Sequence, residues 1–254
     1  RLWQQAIAND STFPRAHTSL GVYHYWRNNP PQGEVHFTTA ERHLDRLTER
    51  ERLWVQSLIA GSRGDDADAI TALQAYLRRY PADQPAWYNL GNSFGQTDRC
   101  AEALEAYARA LTLDSLMAGA HINGGNCHAD LGRPDSAVAA FERAFAIRPE
   151  MLLQENLNHE YGVHLLDAGR ADDARRMYER MLTVSPAHRA RGARSLALME
   201  MGEGRFTAAA TRLSDAVLVN RAERAELSEL RNRAFRVTAL RNLGRFDGVR
   251  AELD

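Results

Sequence analysis

A chain of 254 residues is long enough to bury a sizeable core, and 44% apolar with 26% charged residues is ordinary for a soluble globular protein. A formal net charge of −1 excludes any general electrostatic pull toward nucleic acid or an anionic membrane. All 32 basic residues are arginine, the side chain better suited to two-pronged capture of carboxylates.

In chain order, "RLWQQAIANDSTF" (Arg1 to Phe13) reads as one helix. "TSLGVYHYWRNN" (Thr18 to Asn29) opens another, and "PPQGE" (Pro30 to Glu34) is expected to interrupt that unit. In "LTERERLWVQSLIAGSRGD" (Leu47 to Asp65), Thr48 and Glu51 form a capping box that starts a helix. Further on, Trp87, Leu90, Gly91 and Phe94 follow the i, i+3, i+4, i+7 spacing of a buried helical stripe, and Ala103, Tyr107 and Ala110 form a second. Small residues at Gly91 and Ala103 let those two helices approach, with Tyr107 filling the space beyond. The last stretch, "RFDGVRAELD" (Arg245 to Asp254), begins a final helix. Sustained period-two alternation is missing, so the chain is predicted to be all helix.

The helices recur. Gly91 and Gly125 are 34 residues apart, and so are Ala69, Ala103 and Ala137 in succession. Ala174 and Ala209 follow at 37 and 35, and the series Tyr107, Phe141, Tyr178, Leu213 and Ala110, Ala144, Met181, Ala216 keep step with them through the same insertions. Turn markers stand at Gly64, Asp98, Gly132, Gly169, Gly204 and Gly244, and prolines at Pro81, Pro149 and Pro186 separate the units.

These residues resemble the tetratricopeptide repeat family, most closely over Trp87 to Ser115, Gly124 to Pro149 and Tyr161 to Pro186. The resemblance implies an all-α, right-handed α-α superhelix, a single domain over residues 1–254 with about seven units, first helices lining a concave groove. Ser57 and Ala197 depart from the repeat's glycine, and His121 and Asn158 from its tryptophan. The abrupt start at Arg1 and the absence of polar capping units suggest a fragment truncated at both ends.

On this reading, first-helix residues outside the packing stripe face the groove. Around Gly91 these are Tyr88, Asn89 and Asn92; around Gly125 they are Ile122, Asn123 and Asn126. An amide offers two donors and an acceptor, so a ladder of asparagines can grip the backbone of an extended peptide without demanding one sequence. An asparagine there can also bridge neighbouring repeats or sit in water. Later, His159, Arg191 and Arg194, with Arg231 and Arg241, make the same face basic and suited to an acidic side chain or terminal carboxylate. The alternative is a solvated charged face balanced by Glu160, Glu200, Glu226 and Glu229. Tyr25, Trp26 and Trp54 are candidate aromatic anchors, or core residues.

No catalytic motif is present, and no cofactor is implied. Cys100 and Cys127 lack metal-ligand spacing and read as buried thiols. "CHAD" (Cys127 to Asp130) cannot converge on one ion, because adjacent helical residues diverge by about 100°. His24, His36 and His43 have no defined spacing, so no metal site is expected. No apolar run approaches the ~20 residues that cross a bilayer, and no signal peptide is visible, which makes the cytoplasm the default. The repeat of RNA-reading pentatricopeptide proteins has a similar length, but the glycine, alanine and proline series and the neutral charge speak against nucleic acid. The expected function is a non-enzymatic module that binds a protein or peptide in its groove. The alternative is a sensor or self-association region of a larger bacterial signalling protein, since Leu47 to Asp65 looks like a segment common where such arrays follow a kinase, cyclase or DNA-binding domain.

Overall fold

The computed structural model describes residues 2–253, the side chains of residues 153, 155, 252 and 253 apart. Arg1 and Asp254, which the sequence places in the first and last helices, lie outside the described residues. Among these residues there are fifteen α-helices, two short 3-10 turns and no strand. The chain gathers into two compact units, residues 1–132 and 133–254.

In the first unit, α1 (Leu2–Asn9) precedes the antiparallel pairs α2 (Pro14–Trp26) with α3 (Pro30–Arg42), α4 (Glu49–Arg63) with α5 (Asp66–Arg79), and α6 (Gln84–Gln96) with α7 (Cys100–Leu113), and α8 (Ala118–Asp130) closes it. Each helix packs on a neighbour in the chain, and first helices also touch across pairs, α2 on α4 and α6 on α8. The second unit holds α9 (Pro134–Ile147), α10 (Glu155–Asp167) with α11 (Ala171–Met181), α12 (Pro186–Gly202) with α13 (Phe206–Ala222), and α14 (Glu226–Asn242) with α15 (Phe246–Leu253). Here too, α10 touches α12 and α12 touches α14. Within each unit this is the expected all-α stack of helix-turn-helix repeats, the α-α superhelical class.

The local signals act where the sequence places them. Thr48 and Glu51 form the reciprocal capping box at the start of α4. All six turn markers adopt the left-handed conformation, from φ 58° at Asp98 to 84° at Gly64. Asn28 and Arg224 do the same at φ 53° and 56°, and neither stands out in the sequence as a marker. One expectation fails: "PPQGE" does not interrupt the second repeat. Pro30 and Pro31 sit in the first turn of α3, where a missing N–H costs nothing, and the turn is made by Asn28 just before.

The small-residue register decides how closely the helices of a pair approach. A Cβ added at Gly91 would lie 2.5 Å from the Tyr107 ring; at Gly162 it would run into the ring of Tyr178, and at Gly21 into that of Phe37. In these three pairs the aromatic of the second helix therefore occupies the place of the side chain that the first helix lacks. Tyr107, Tyr178 and Phe37 are buried as a result.

Candidate functional site

In the first unit, α2, α4 and α6 together line an open cavity of about 560 Å³. Trp26 contributes an indole that is 88% exposed, Leu58 and Ser62 form the middle, and Asn89, Asn92 and Gln96 supply amides from α6. Tyr25 also reaches this wall, but its ring stacks on Phe37 with centroids 5.2 Å apart and its hydroxyl donates to Glu34. Arg63 in turn bonds Glu34 at 2.8 Å and Glu41 at 2.6 Å, tying α3 to α4. Burial, with Glu34 beside it, raises the Tyr25 pKa, so the phenol keeps its proton. Trp54 packs on the core and on Tyr76, ring centroids 5.7 Å apart. Of the three candidate anchors, Trp26 is the one standing free of the core.

The asparagines divide into two kinds. Asn92 Oδ1 accepts from the Tyr107 hydroxyl at 2.9 Å and from Asn123 Nδ2 at 2.8 Å. Asn123 Nδ2 also donates to the Tyr88 hydroxyl at 3.2 Å. Tyr88 reaches this position because α8 presents Gly119 beneath it, where a Cβ would lie 3.0 Å from the phenol oxygen. Asn92 and Asn123 therefore do bridge neighbouring repeats. The bridge also orients both amides, because it engages the carbonyl of Asn92 and the NH2 of Asn123. What remains at this half-buried rung is the NH2 of Asn92 and the carbonyl of Asn123, the complement of one peptide group. Asn89 lines the cavity half-buried, and among the described residues no hydrogen bond engages its amide. Asn126 is half-buried on the same face of α8 and has its own interaction. Ile122 departs from expectation: it is 4% exposed, a core residue rather than a groove residue.

The second unit repeats the seam with different chemistry. His159 Nδ1 lies 3.2 Å from Ser195 Oγ, as Tyr88 meets Asn123 in the first unit. The two pairs are 36 and 35 residues apart, so the residue three before each repeat's central position contacts the residue two before it in the next. Arg194 belongs to this seam as well. It is 7% exposed and donates from Nη1 to Asn232 Oδ1 at 3.3 Å, so it is not the open groove position the sequence suggests. Arg191 is half-buried and Arg231 exposed. Burial, followed by the charges of Arg194, Arg191 and Arg231, holds the His159 imidazole below its ordinary pKa. Two of the expected counter-charges act elsewhere: Glu200, 3% exposed, accepts from Arg212 at 2.7 Å, and Glu229 from Arg221 at 2.7 Å.

The histidine grouping also differs from the sequence expectation. His36 meets His17 through their Nδ1 atoms at 3.0 Å and stacks with His24 at 5.5 Å between centroids, while His43 takes no part. Burial, then His17 and His24, lower the His36 pKa. Among the described residues no group of three or more His, Cys, Asp or Glu side chains is placed to hold a metal ion, and no helix is long and apolar enough to cross a membrane.

Comparison with known proteins agrees with this architecture. The family model for the tetratricopeptide repeat matches residues 55–111 and 88–151. No curated protein matches the sequence. Among solved structures, the chain is similar to MamA at TM-score 0.59 and 21% identity, covering 66% of this chain and 96% of that one. A thermophilic tetratricopeptide-repeat protein of Thermus thermophilus superimposes at TM-score 0.58 and 20% identity, over 72% of this chain and 98% of that one. One from Parabacteroides merdae does so at 0.56 and 15%, over 84% and 82%. At these identities the likeness speaks for the fold.

Proposed function

This chain belongs to the tetratricopeptide-repeat family, whose fold serves protein–protein interaction, and we propose that its first unit holds an extended segment of a partner along α2, α4, α6 and α8. The observation that carries the reading is the half-used amide rung. Asn92 and Asn123 spend one side of each amide on each other and on two tyrosines, which leaves one donor group and one acceptor at fixed spacing. Asn89 adds a further amide in the cavity, and Trp26 an exposed aromatic surface for an apolar side chain. Such a wall recognises backbone first and side chains second, as in other modes of peptide capture that rely on main-chain hydrogen bonds.

The test is selection of peptides from a displayed random library on the intact chain, followed by fluorescence anisotropy with the selected peptide. Asn89→Ala combined with Asn123→Ala is expected to weaken binding about ten-fold or more, since each lost hydrogen bond is worth ~0.5–1.5 kcal/mol. Circular dichroism checks that helix content is retained. A selected peptide that binds the folded double variant as tightly as the parent refutes the assignment.

A further inference from the structure

Cys100 is the first residue of α7 and Cys127 lies in the last turn of α8, in successive repeats. Both are free and buried, 6% and 4% exposed. Their sulfur atoms are 2.7 Å apart, within about 0.7 Å of a disulfide bond length and on elements that already pack together. We propose that Cys100 and Cys127 are a disulfide-forming pair, a modification site that covalently staples the second helix of one repeat to the first helix of the next.

The chemistry is thiol–disulfide exchange with a low-molecular-weight disulfide. The Cys100 thiolate attacks one sulfur of that disulfide, forming a mixed disulfide and releasing the first small thiolate. Cys127 then gives its proton to solvent and attacks Cys100 Sγ, forming the internal bond and releasing the second. Two protein thiols are oxidised, and one small disulfide is reduced to two thiols. Cys100 is the better first nucleophile, because it sits at a helix N-terminus where the backbone N–H groups favour negative charge. Against that, burial raises its pKa, and Asp130 lies 3.6 Å from its sulfur. Burial also pushes the Cys127 thiol up to about 12. The exchange is therefore slow and requires local opening of α7 from α8, or takes place during folding, before the seam closes.

The staple's location gives it a consequence. A Cβ added at Gly95 would lie 3.8 Å from the Tyr107 hydroxyl and 3.9 Å from Cys127 Sγ, so Cys127 and the Tyr107 end of the Tyr107–Asn92–Asn123 rung border the same small space at Gly95. Oxidation fixes α8 against the α6–α7 pair at the place where the open ends of that rung are held.

The test uses the whole chain, refolded from urea and separately incubated while native, with oxidised glutathione in each case. Trypsin cuts after Arg109 and so separates residues 100–109 from 110–143, since the Arg133–Pro134 bond resists cleavage. The expected result is a monomer on a non-reducing gel, a linked pair of these peptides two hydrogens lighter than their sum, and loss of both thiols in denaturant, all reversed by dithiothreitol. The apparent Tm should rise by about 5–10 °C on oxidation, from closing the 100–127 loop, and should not rise in Cys127→Ser. The peptide map of the parent chain decides the matter even if Cys127→Ser folds poorly. Persistent mixed disulfides with glutathione on both cysteines, a disulfide-linked dimer, or two thiols still free after refolding in the oxidant would each overturn the proposal.

Discussion

Replacing Gly91 by alanine separates two effects of opposite sign. Helix propensity alone predicts stabilisation of ~1 kcal/mol, because glycine in a helix interior is that much worse than alanine. The structure predicts the reverse. The new Cβ would stand 2.5 Å from Tyr107 Cε1 and 2.6 Å from Cδ1, so the ring must retreat by about 1 Å to reach ordinary carbon contact. Tyr107 is buried, held between α6 and α8, and its hydroxyl donates to Asn92 at 2.9 Å, so the movement also breaks that bond. Overpacking of this kind costs about 1–3 kcal/mol, and the lost hydrogen bond about 1 more. After the propensity gain, Gly91→Ala should lose about 1–3 kcal/mol, or about 3–8 °C in Tm for a chain of this size. Gly61→Ala is the matched control, since its added Cβ meets only Ala69 Cβ at 3.9 Å; it should be neutral or gain up to ~1 kcal/mol. Urea unfolding followed by far-UV circular dichroism measures both. A Gly91→Ala chain as stable as the parent would refute the account of the register, as would equal effects at the two glycines. Shrinking the clashing ring in Gly91→Ala/Tyr107→Leu should recover part of the loss, a favourable coupling of at least ~0.5 kcal/mol.

Arg212→Ala leaves the carboxylate of Glu200, 3% exposed, without the guanidinium it bonds, and should cost about 2–4 kcal/mol by urea titration, while Arg212→Ala/Glu200→Leu should recover most of it. Arg194→Ala strands Asn232, which is fully buried and whose Nδ2 makes no hydrogen bond among the described residues; a loss of about 1–3 kcal/mol is expected, and a loss below about 0.5 kcal/mol, on the order of surface substitutions, would contradict the buried placement. His159 and His36 both have folded pKa values below the unfolded one, so the unfolded chain binds more protons and their contribution is fully present above the ordinary imidazole range. Stability should fall as pH drops from about 7 toward 5, and His36→Gln should flatten the urea midpoint against pH; an unchanged slope in that variant would exclude His36 as a source.

What the sequence determined by itself is local. The left-handed turns at Gly64, Asp98, Gly132, Gly169, Gly204 and Gly244, the capping box at Thr48 and Glu51, and the fit of Tyr107 over Gly91 depend on residues close in the chain or within one helix pair. Such signals recur with each repeat, so the period itself exposes them. What only the tertiary structure decided is which side of a first helix meets the next repeat. Tyr88, Ile122, His159 and Arg194 occupy one equivalent position, and the sequence pattern turned all of them toward the groove. The fold puts that position on the seam between repeats: Tyr88 bonds Asn123, His159 meets Ser195, Arg194 reaches Asn232, and Ile122 is core. The physical reason is angular. Neighbouring helical positions point only about 100° apart, and the tilt of one repeat on the next determines which of them faces solvent and which a partner helix. That tilt comes from packing among residues far apart in the chain, which also brings Cys100 against Cys127 and leaves half of each rung amide open.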